Sequence, residues 1–354
     1  MSETASSGRS RRGLRTSMPT AGPAAAGTAT AGQRGRRRRV AAVVLVALLV
    51  AAGTVWLALR NTSPVGHFTS GRGYDEYFAA YQRALAELPP PSATSDVRTD
   101  YGVVRVYRFD GANPHAAPLL LLPGRSAAAP MWADNLPSLL RLRTVYLVDL
   151  LGEPGASVQS KPIACHADQA RWLHQTIDRL PEPRVVVVGA SIGGWTATNL
   201  AIREPRKIAG VIALDPVMTF TSMSMRAVLR SIPASVRWFP KRWRDDFNSW
   251  TAGGAPVEQV PVADMIEAGM RHYASASPAP ALFGETELRS TAVPFLVIMA
   301  GRSVMHDSAR AAERARRMLR DGTVLVYEDA SHAVNGEFPE RIAADAATFL
   351  ARVG

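Results

Sequence analysis

The sequence predicts an α/β fold built on a doubly wound, mostly parallel sheet. Three aliphatic runs contain no charged or hydrogen-bonding side chain, and they occupy residues 119–122, 185–188 and 208–214. Such runs are typical of strands that helices cover on both faces of a parallel sheet. Stretches with apolar residues at helical spacing lie between them. Repeated strand–helix units of this kind predict helices on both faces of one sheet.

The elements follow in order from their patterns and from the turn residues that bound them. Residues 73–88 have aromatic and aliphatic side chains at helical spacing, and the proline run at 89–91 ends that helix. Residues 101–109 alternate between apolar and polar side chains, as a strand with one solvated face does. Further strands are predicted at 119–122, 145–148, 185–188, 208–214, 293–299 and 324–327, and helices at 131–142, 166–180, 195–202, 308–320 and 339–351.

Residues 217–291 interrupt this alternation. They contain no convincing strand pattern and are rich in Met, Trp and Phe, which indicates a helical cap over the carboxyl edge of the sheet. The α/β core is therefore expected at 73–216 and 292–354. Within the cap, the basic and aromatic run 237–244 is expected to be a solvated helix end anchored by its aromatic residues, and contact with lipid headgroups is the alternative.

The N-terminal residues 1–39 have no apolar period and consist mainly of Ser, Thr, Ala, Gly and Arg, so we expect a disordered tail. They hold nine arginines and one glutamate, a net charge of +8, whereas the whole chain carries +11. The remaining residues are thus nearly neutral. A nucleic-acid-binding function, which the overall charge would suggest, is not expected.

Residues 40–59 form a run of twenty residues without a charge. As a helix, this run would be about 30 Å long, enough to cross a bilayer. Because arginines occupy 36–39, the positive-inside rule predicts a single-pass anchor in the cell membrane, with a cytoplasmic N-terminus and an extracytoplasmic domain. A cleaved signal peptide is the alternative. Residues 60–72 are expected to be a tether.

The most informative motif is Gly-x-Ser-x-Gly at residues 189–193. A pure β run precedes Ser191 and a helical pattern follows it, which is the context of a nucleophile elbow. Gly189 and Gly193 suit such a turn, because strand and helix nearly touch there. A glycine-rich turn without chemistry and a phosphate-binding loop are the alternatives, although the lysine of a P-loop is missing.

Six segments of the chain resemble the α/β-hydrolase superfamily, and in particular its capped bacterial serine hydrolases. They are LLLLPG, VDLLGEPGAS, VVVVGASIGGW, VIALDP, FLVIMAG and DASHA, and the resemblance covers residues 98–354. It implies a nucleophile, an acid and a histidine in that order along the chain. Ser191 is then the nucleophile and His332 the base.

The resemblance leaves the acid open between two residues. Asp307 is the expected acid, because it is the only carboxylate in the loop after the strand at 293–299. The family's usual position in that loop is occupied by Val304, and His306 has no expected role. Asp215, which follows the preceding strand, is the alternative, and a dyad or support from Asp329 is a third possibility.

The resemblance also implies an oxyanion hole made of two backbone N–H groups, those of Ile192 and Arg125. The implied reaction is cleavage of a carboxylic ester, from a small molecule or a lipid-like substrate, through an acyl-enzyme without metal or cofactor. Other chemistry of the same fold remains open, namely amide, thioester or carbon–carbon bond cleavage or acyl transfer. A non-catalytic binding protein is the alternative from a different class.

Overall fold

The computed structural model describes residues 29–59 and 63–353 of the 354-residue chain. These residues belong to two compact units, one within Met1–Arg60 and one within Asn61–Gly354. Residues 1–28 of the expected tail lie outside the described residues.

The N-terminal unit is one helix, α1 (Ala29–Leu59). It begins before the expected start at residue 40, so residues 29–39 are helical rather than disordered. Val40 and the other large apolar residues up to Val50 are between 51% and 67% exposed. The side chains at 51–52 and 55–59, which complete the expected membrane segment, lie outside the described part of the chain. Within the described residues, no helix is long and apolar enough to cross a membrane.

Nine strands of the described residues form the main sheet of the second unit. Its strand order is β11-β10-β8-β7-β4-β5-β3-β2, and β6 pairs with β3. The strands from β5 through β11 along this order pair in parallel, whereas β3 is antiparallel to β5, β2 and β6. The predicted mostly parallel sheet is therefore present, with an antiparallel edge that includes β2, which the sequence analysis missed.

The elements of this unit follow one another along the chain with these bounds. The strands are β1 (His67–Phe68), β2 (Ala93–Thr99), β3 (Gly102–Phe109), β4 (Leu119–Leu122), β5 (Val145–Val148), β6 (Val158–Gln159), β7 (Val185–Ala190), β8 (Ile208–Leu214), β9 (Tyr273–Ala274), β10 (Phe295–Ala300) and β11 (Gly322–Tyr327). The helices are α2 (Gly71–Leu85), α3 (Leu136–Leu140), α4 (His166–Asp178), α5 (Ile192–Arg203), α6 (Met225–Ser235), α7 (Lys241–Thr251), α8 (Pro261–His272), α9 (Glu285–Ser290), α10 (Ser308–Met318), α11 (Val334–Glu337) and α12 (Pro339–Val353), with a 3-10 helix at Ala129–Trp132.

The central strand β7 is buried on both faces, as its run of valines predicts. Val185 and Val187 pack into one apolar cluster, whereas Val186 and Val188 pack into the other. Successive side chains of a strand point to opposite faces, so the two clusters lie on the two sides of the sheet. This burial fixes the position of β7 and thereby of the serine that follows it.

The expected cap at 217–291 contains four helices, α6, α7, α8 and α9. It also contains β9, a two-residue strand that the sequence analysis did not predict. β9 pairs with β1, so part of the expected 60–72 tether belongs to the folded domain. Phe68 of β1 accounts for this pairing, because its ring packs edge-on against Tyr273 of β9 and also contacts Tyr77. Burying aromatic rings stabilises a strand that is too short to persist alone.

Candidate active site

Ser191 lies in the turn between β7 and α5, with backbone angles of φ 54° and ψ −115°. This conformation is strained for a residue with a side chain. A Cβ on Gly189 would lie 2.2 Å from the Gly193 oxygen, and one on Gly193 would lie 2.2 Å from the Leu122 oxygen. Only glycine fits at both positions, so the motif forms the sharp strand–turn–helix connection that the sequence predicts.

His332 lies in the loop after β11, and its ring contacts Ser191. The Ser191 hydroxyl donates to His332 Nε2 over 2.9 Å. On the other side of the ring, Nδ1–H donates to Asp215 Oδ2 over 2.6 Å. The histidine therefore bridges the serine and a carboxylate, which is the arrangement that can remove a proton from the hydroxyl.

Asp215 follows β8 and is completely buried, with a backbone φ of 39°. Its second carboxylate oxygen, Oδ1, accepts hydrogen bonds from the Ala300 N–H at 3.1 Å and from His306 Nε2 at 3.0 Å. Burial raises the pKa of Asp215, but the electrostatic attraction and hydrogen bond of His306 and the hydrogen bond from His332 outweigh burial. The pKa consequently lies below the usual range of an aspartate.

Our prediction that Asp307 contacts His332 was wrong. Its carboxylate accepts a hydrogen bond from the Arg310 N–H at 3.0 Å and so caps the N-terminus of α10. Such a cap satisfies a backbone donor that the helix itself cannot. The alternative residue, Asp215, occupies the position beside His332. The sequence carried a signal for the capping role of Asp307, since an Asp directly before a helical pattern is a common N-cap.

His306 is the residue of this site that the sequence analysis missed. Its side chain is 1% exposed and donates through Nε2 to Asp215. The other ring nitrogen, Nδ1, is buried and has no partner among the described residues. Because Nε2 faces a carboxylate oxygen, that nitrogen carries a hydrogen. The sequence carried one signal for a role of His306, namely its place in the loop after a predicted parallel strand.

The loop after β4 lies beside Ser191. A Cβ on Gly124 would come within 3.9 Å of the Ser191 Cβ, so the backbone of this loop approaches the nucleophile. The next residues are held by the buried Glu153, which accepts from the Ser126 N–H at 3.1 Å and pairs with Arg125 at 3.5 Å. The loop is therefore held by the Glu153 carboxylate. Ile192 is the first residue of α5, and its N–H has no acceptor within that helix.

The end of α7 contacts the loop that carries His332. The His332 N–H donates to the Thr251 oxygen at 3.2 Å. Glu337 of α11, which belongs to the α/β core, binds the same loop. Its carboxylate accepts hydrogen bonds from the N–H and the hydroxyl of Ser331, at 2.7 and 2.6 Å. The position of the histidine thus depends on the core and on the cap together.

Within the described residues, no group of three or more His, Cys, Asp or Glu side chains is placed to hold a metal ion.

Comparison with known proteins identifies the family of the chain. A family model described as "Alpha/beta hydrolase family" matches residues 119–346. The chain is similar to the uncharacterized carboxylesterase nap of Bacillus subtilis, with 26% identity over 74% of this chain and 88% of that protein. It is also similar to the carboxylesterase YbfK of Bacillus subtilis, with 24% identity over 77% of this chain and 93% of that protein.

The crystal structure of the same Bacillus subtilis carboxylesterase, there called CesB (YbfK), shares the fold. It superposes with a TM-score of 0.72 at 24% identity, and the match covers 79% of this chain and 98% of that chain.

Proposed function

Because the chain belongs to the alpha/beta hydrolase family over residues 119–346, we propose that it is a serine hydrolase that cleaves a carboxylic ester through an acyl-enzyme. The observation that carries this proposal is the hydrogen-bonded series Ser191–His332–Asp215, with distances of 2.9 and 2.6 Å. Two relatives described as carboxylesterases support an ester as the substrate.

In the first half of the reaction, Ser191 Oγ attacks the ester carbonyl while His332 Nε2 takes the hydroxyl proton. Asp215 supports the imidazolium that forms, because its carboxylate is buried and ionised. The imidazolium then returns the proton to the alcohol as the carbon–oxygen bond breaks, which leaves the acyl group on Ser191. In the second half, His332 removes a proton from water as the water oxygen attacks the acyl carbon. The imidazolium then returns that proton to Ser191 Oγ as the acyl–oxygen bond breaks, which releases the acid and restores the serine.

Negative charge that develops on the carbonyl oxygen needs two N–H donors aimed at it. The Ile192 N–H at the start of α5 is one, and the helix dipole adds to its effect. The Arg125 N–H is the other, because the following N–H, that of Ser126, is already bound by Glu153. Gly124 permits the close approach of this loop to Ser191.

His306 acts in this scheme as a positioning residue for Asp215. Together with the Ala300 N–H it holds Oδ1, so Oδ2 is the oxygen that faces His332. A carboxylate fixed at both oxygens keeps the imidazole in the tautomer with a free Nε2.

Hydrolysis of p-nitrophenyl esters of graded acyl length tests the function. The full chain should release p-nitrophenol from at least one ester of the series, and the Ser191→Ala variant should not, although its thermal unfolding should be unchanged. Equal rates for the two proteins would overturn the proposal, and no turnover of any ester would favour a non-catalytic protein of this fold.

We also propose that residues 40–59 anchor the protein in the cell membrane, with the N-terminus in the cytoplasm and the hydrolase domain outside. The support is the uncharged run itself and the arginines at 36–39 before it. A reporter that is active only outside the cytoplasm should be active when fused after residue 354. Recovery of a shortened soluble protein would instead indicate a cleaved signal peptide.

A further inference from the structure

The outer face of α6 carries large apolar side chains exposed to solvent, which we call the α6 stripe: Met225, Val228, Leu229 and Ile232. Their exposed fractions are 72%, 41%, 59% and 54%. The spacing places them on one side of the helix, whereas the opposite side is buried through Ala227 and Ala234. Contiguous exposed apolar patches mark interaction surfaces, unlike single exposed residues.

The rest of the domain shows no comparable patch. Over residues 63–353, the other large apolar side chains that are strongly exposed are Tyr74, Val158, Leu282 and Trp238. The first three lie on separate parts of the chain. Trp238 follows α6 in the chain and is 57% exposed. Tryptophan is enriched where one side of a protein meets the headgroup layer of a membrane.

The charges near the stripe are mainly basic. Residues 225–246 contain six basic residues and two acidic residues, Asp245 and Asp246. Arg244 is buried against Glu267 and Lys241 pairs with Asp245 at 2.6 Å, whereas Arg242 is exposed. Arg226 and Arg230 stack on the Trp250 ring of α7 at 5.5 and 4.9 Å, on the flank of α6 that faces α7. The chemistry that complements an apolar stripe with basic flanks is an anionic lipid surface. A second copy of the chain would instead bring like charges together.

The stripe begins next to the candidate active site. Ser224 caps α6, and its N–H and hydroxyl donate to the Met305 and Val304 oxygens at 2.7 and 3.0 Å. That loop continues to His306, which binds Asp215. A lipid surface in contact with the stripe would therefore lie close to the loop that holds the catalytic carboxylate.

We propose that the α6 stripe inserts into the surface of a bilayer containing anionic phospholipid, with the neighbouring basic residues on the headgroups. The consequence for substrate, which rests on the proposed esterase function, is that the site takes an amphiphilic ester from that lipid surface. Insertion itself does not require the enzyme to be active, so the two proposals can fail separately.

A spin label at position 229 measures the insertion directly. The full chain, with Cys165→Ser and Leu229→Cys, is reconstituted into vesicles of phosphatidylcholine and phosphatidylglycerol. The matched control carries the label at Val158, which is exposed to 63% on β6. Oxygen, which concentrates in the bilayer, should relax the label at 229 more than a water-soluble nickel complex does, and the order should be reversed at 158. The Arg242→Gln variant should shift the insertion equilibrium toward water by about fivefold.

Three results would overturn this proposal. The label at 229 could be as accessible to nickel as the label at 158. It could insert equally without phosphatidylglycerol, which would remove the role of the charges. It could be shielded from both reagents in detergent and in vesicles alike, which would mean that protein covers the stripe. Hydrolysis of a water-soluble ester by Leu229→Asp keeps the esterase proposal separate, since that rate should match the unsubstituted chain while the rate on a vesicle-embedded ester falls.

Discussion

Replacing Asp215 by Asn should abolish most of the activity, and the surrounding hydrogen bonds show why. The Asp215 carboxylate accepts three N–H groups, from Ala300 and His306 at Oδ1 and from His332 at Oδ2. An amide has only one oxygen, and the two donors at Oδ1 favour it there. The amide NH₂ then faces His332 Nδ1, which must accept rather than donate. The ring proton moves to Nε2, so His332 no longer accepts the proton of Ser191.

The expected loss in kcat is about 10⁴-fold, as for other triads whose carboxylate becomes an amide. The assay is steady-state hydrolysis of a p-nitrophenyl ester, with circular dichroism and thermal unfolding as checks of the fold. Asp307→Asn is the matched control. Its kcat should stay within about twofold of the native value, because asparagine is as good an N-cap as aspartate and the Asp307 carboxylate binds the Arg310 N–H rather than a histidine. A large loss in Asp307→Asn with normal activity in Asp215→Asn would refute this reasoning, and normal activity in both would indicate a dyad.

Three further changes test the site and the cap. His306→Phe should lower kcat about 10-fold or more and leave KM unchanged. His306→Gln, which retains an N–H donor, should recover most of the rate. Equal losses in both variants would show that His306 does not position Asp215. Gly193→Ala should prevent folding or expression, since the added Cβ lies 2.2 Å from a backbone oxygen. The control Gly336→Ala, which has open space around the added Cβ, should unfold at the same temperature as the native chain. Arg244→Ala should destabilise the protein by about 3–5 kcal/mol in chemical denaturation, because it leaves the Glu267 carboxylate without its partner; a loss below 1 kcal/mol would show that the pair does not hold the cap together.

The nucleophile turn was predictable because its determinants are local. A buried β run, two glycines and a helical pattern stand next to one another along the chain, and their steric demands do not depend on distant segments. His332 was predictable for a similar reason, since it directly follows the last strand. The structure brings Ser191 and His332 within hydrogen-bond distance of each other.

The sequence signal at Asp307 indicates an N-cap, but the choice of Asp215 as the acid depends on the order of strands in the sheet. β8 lies directly beside β7, whereas β10 is one strand further away. The end of β8 therefore places Asp215 next to His332, and the loop after β10 reaches the site only through His306. No local pattern reports which of two loops fills the space beside a histidine. The same limit applies to β1, whose pairing with β9 joins residues far apart in the chain.

The central claim is that Ser191 is an activated nucleophile, and covalent labelling tests it most directly. The full chain is incubated with a fluorophosphonate, which reacts with activated serine hydroxyls, and the modified peptide is identified by mass spectrometry. We expect a single adduct on Ser191, no adduct in Ser191→Ala, and labelling of Asp215→Asn slowed by several orders of magnitude. An adduct on another serine, or equal labelling of the native chain and Ser191→Ala, would contradict the account.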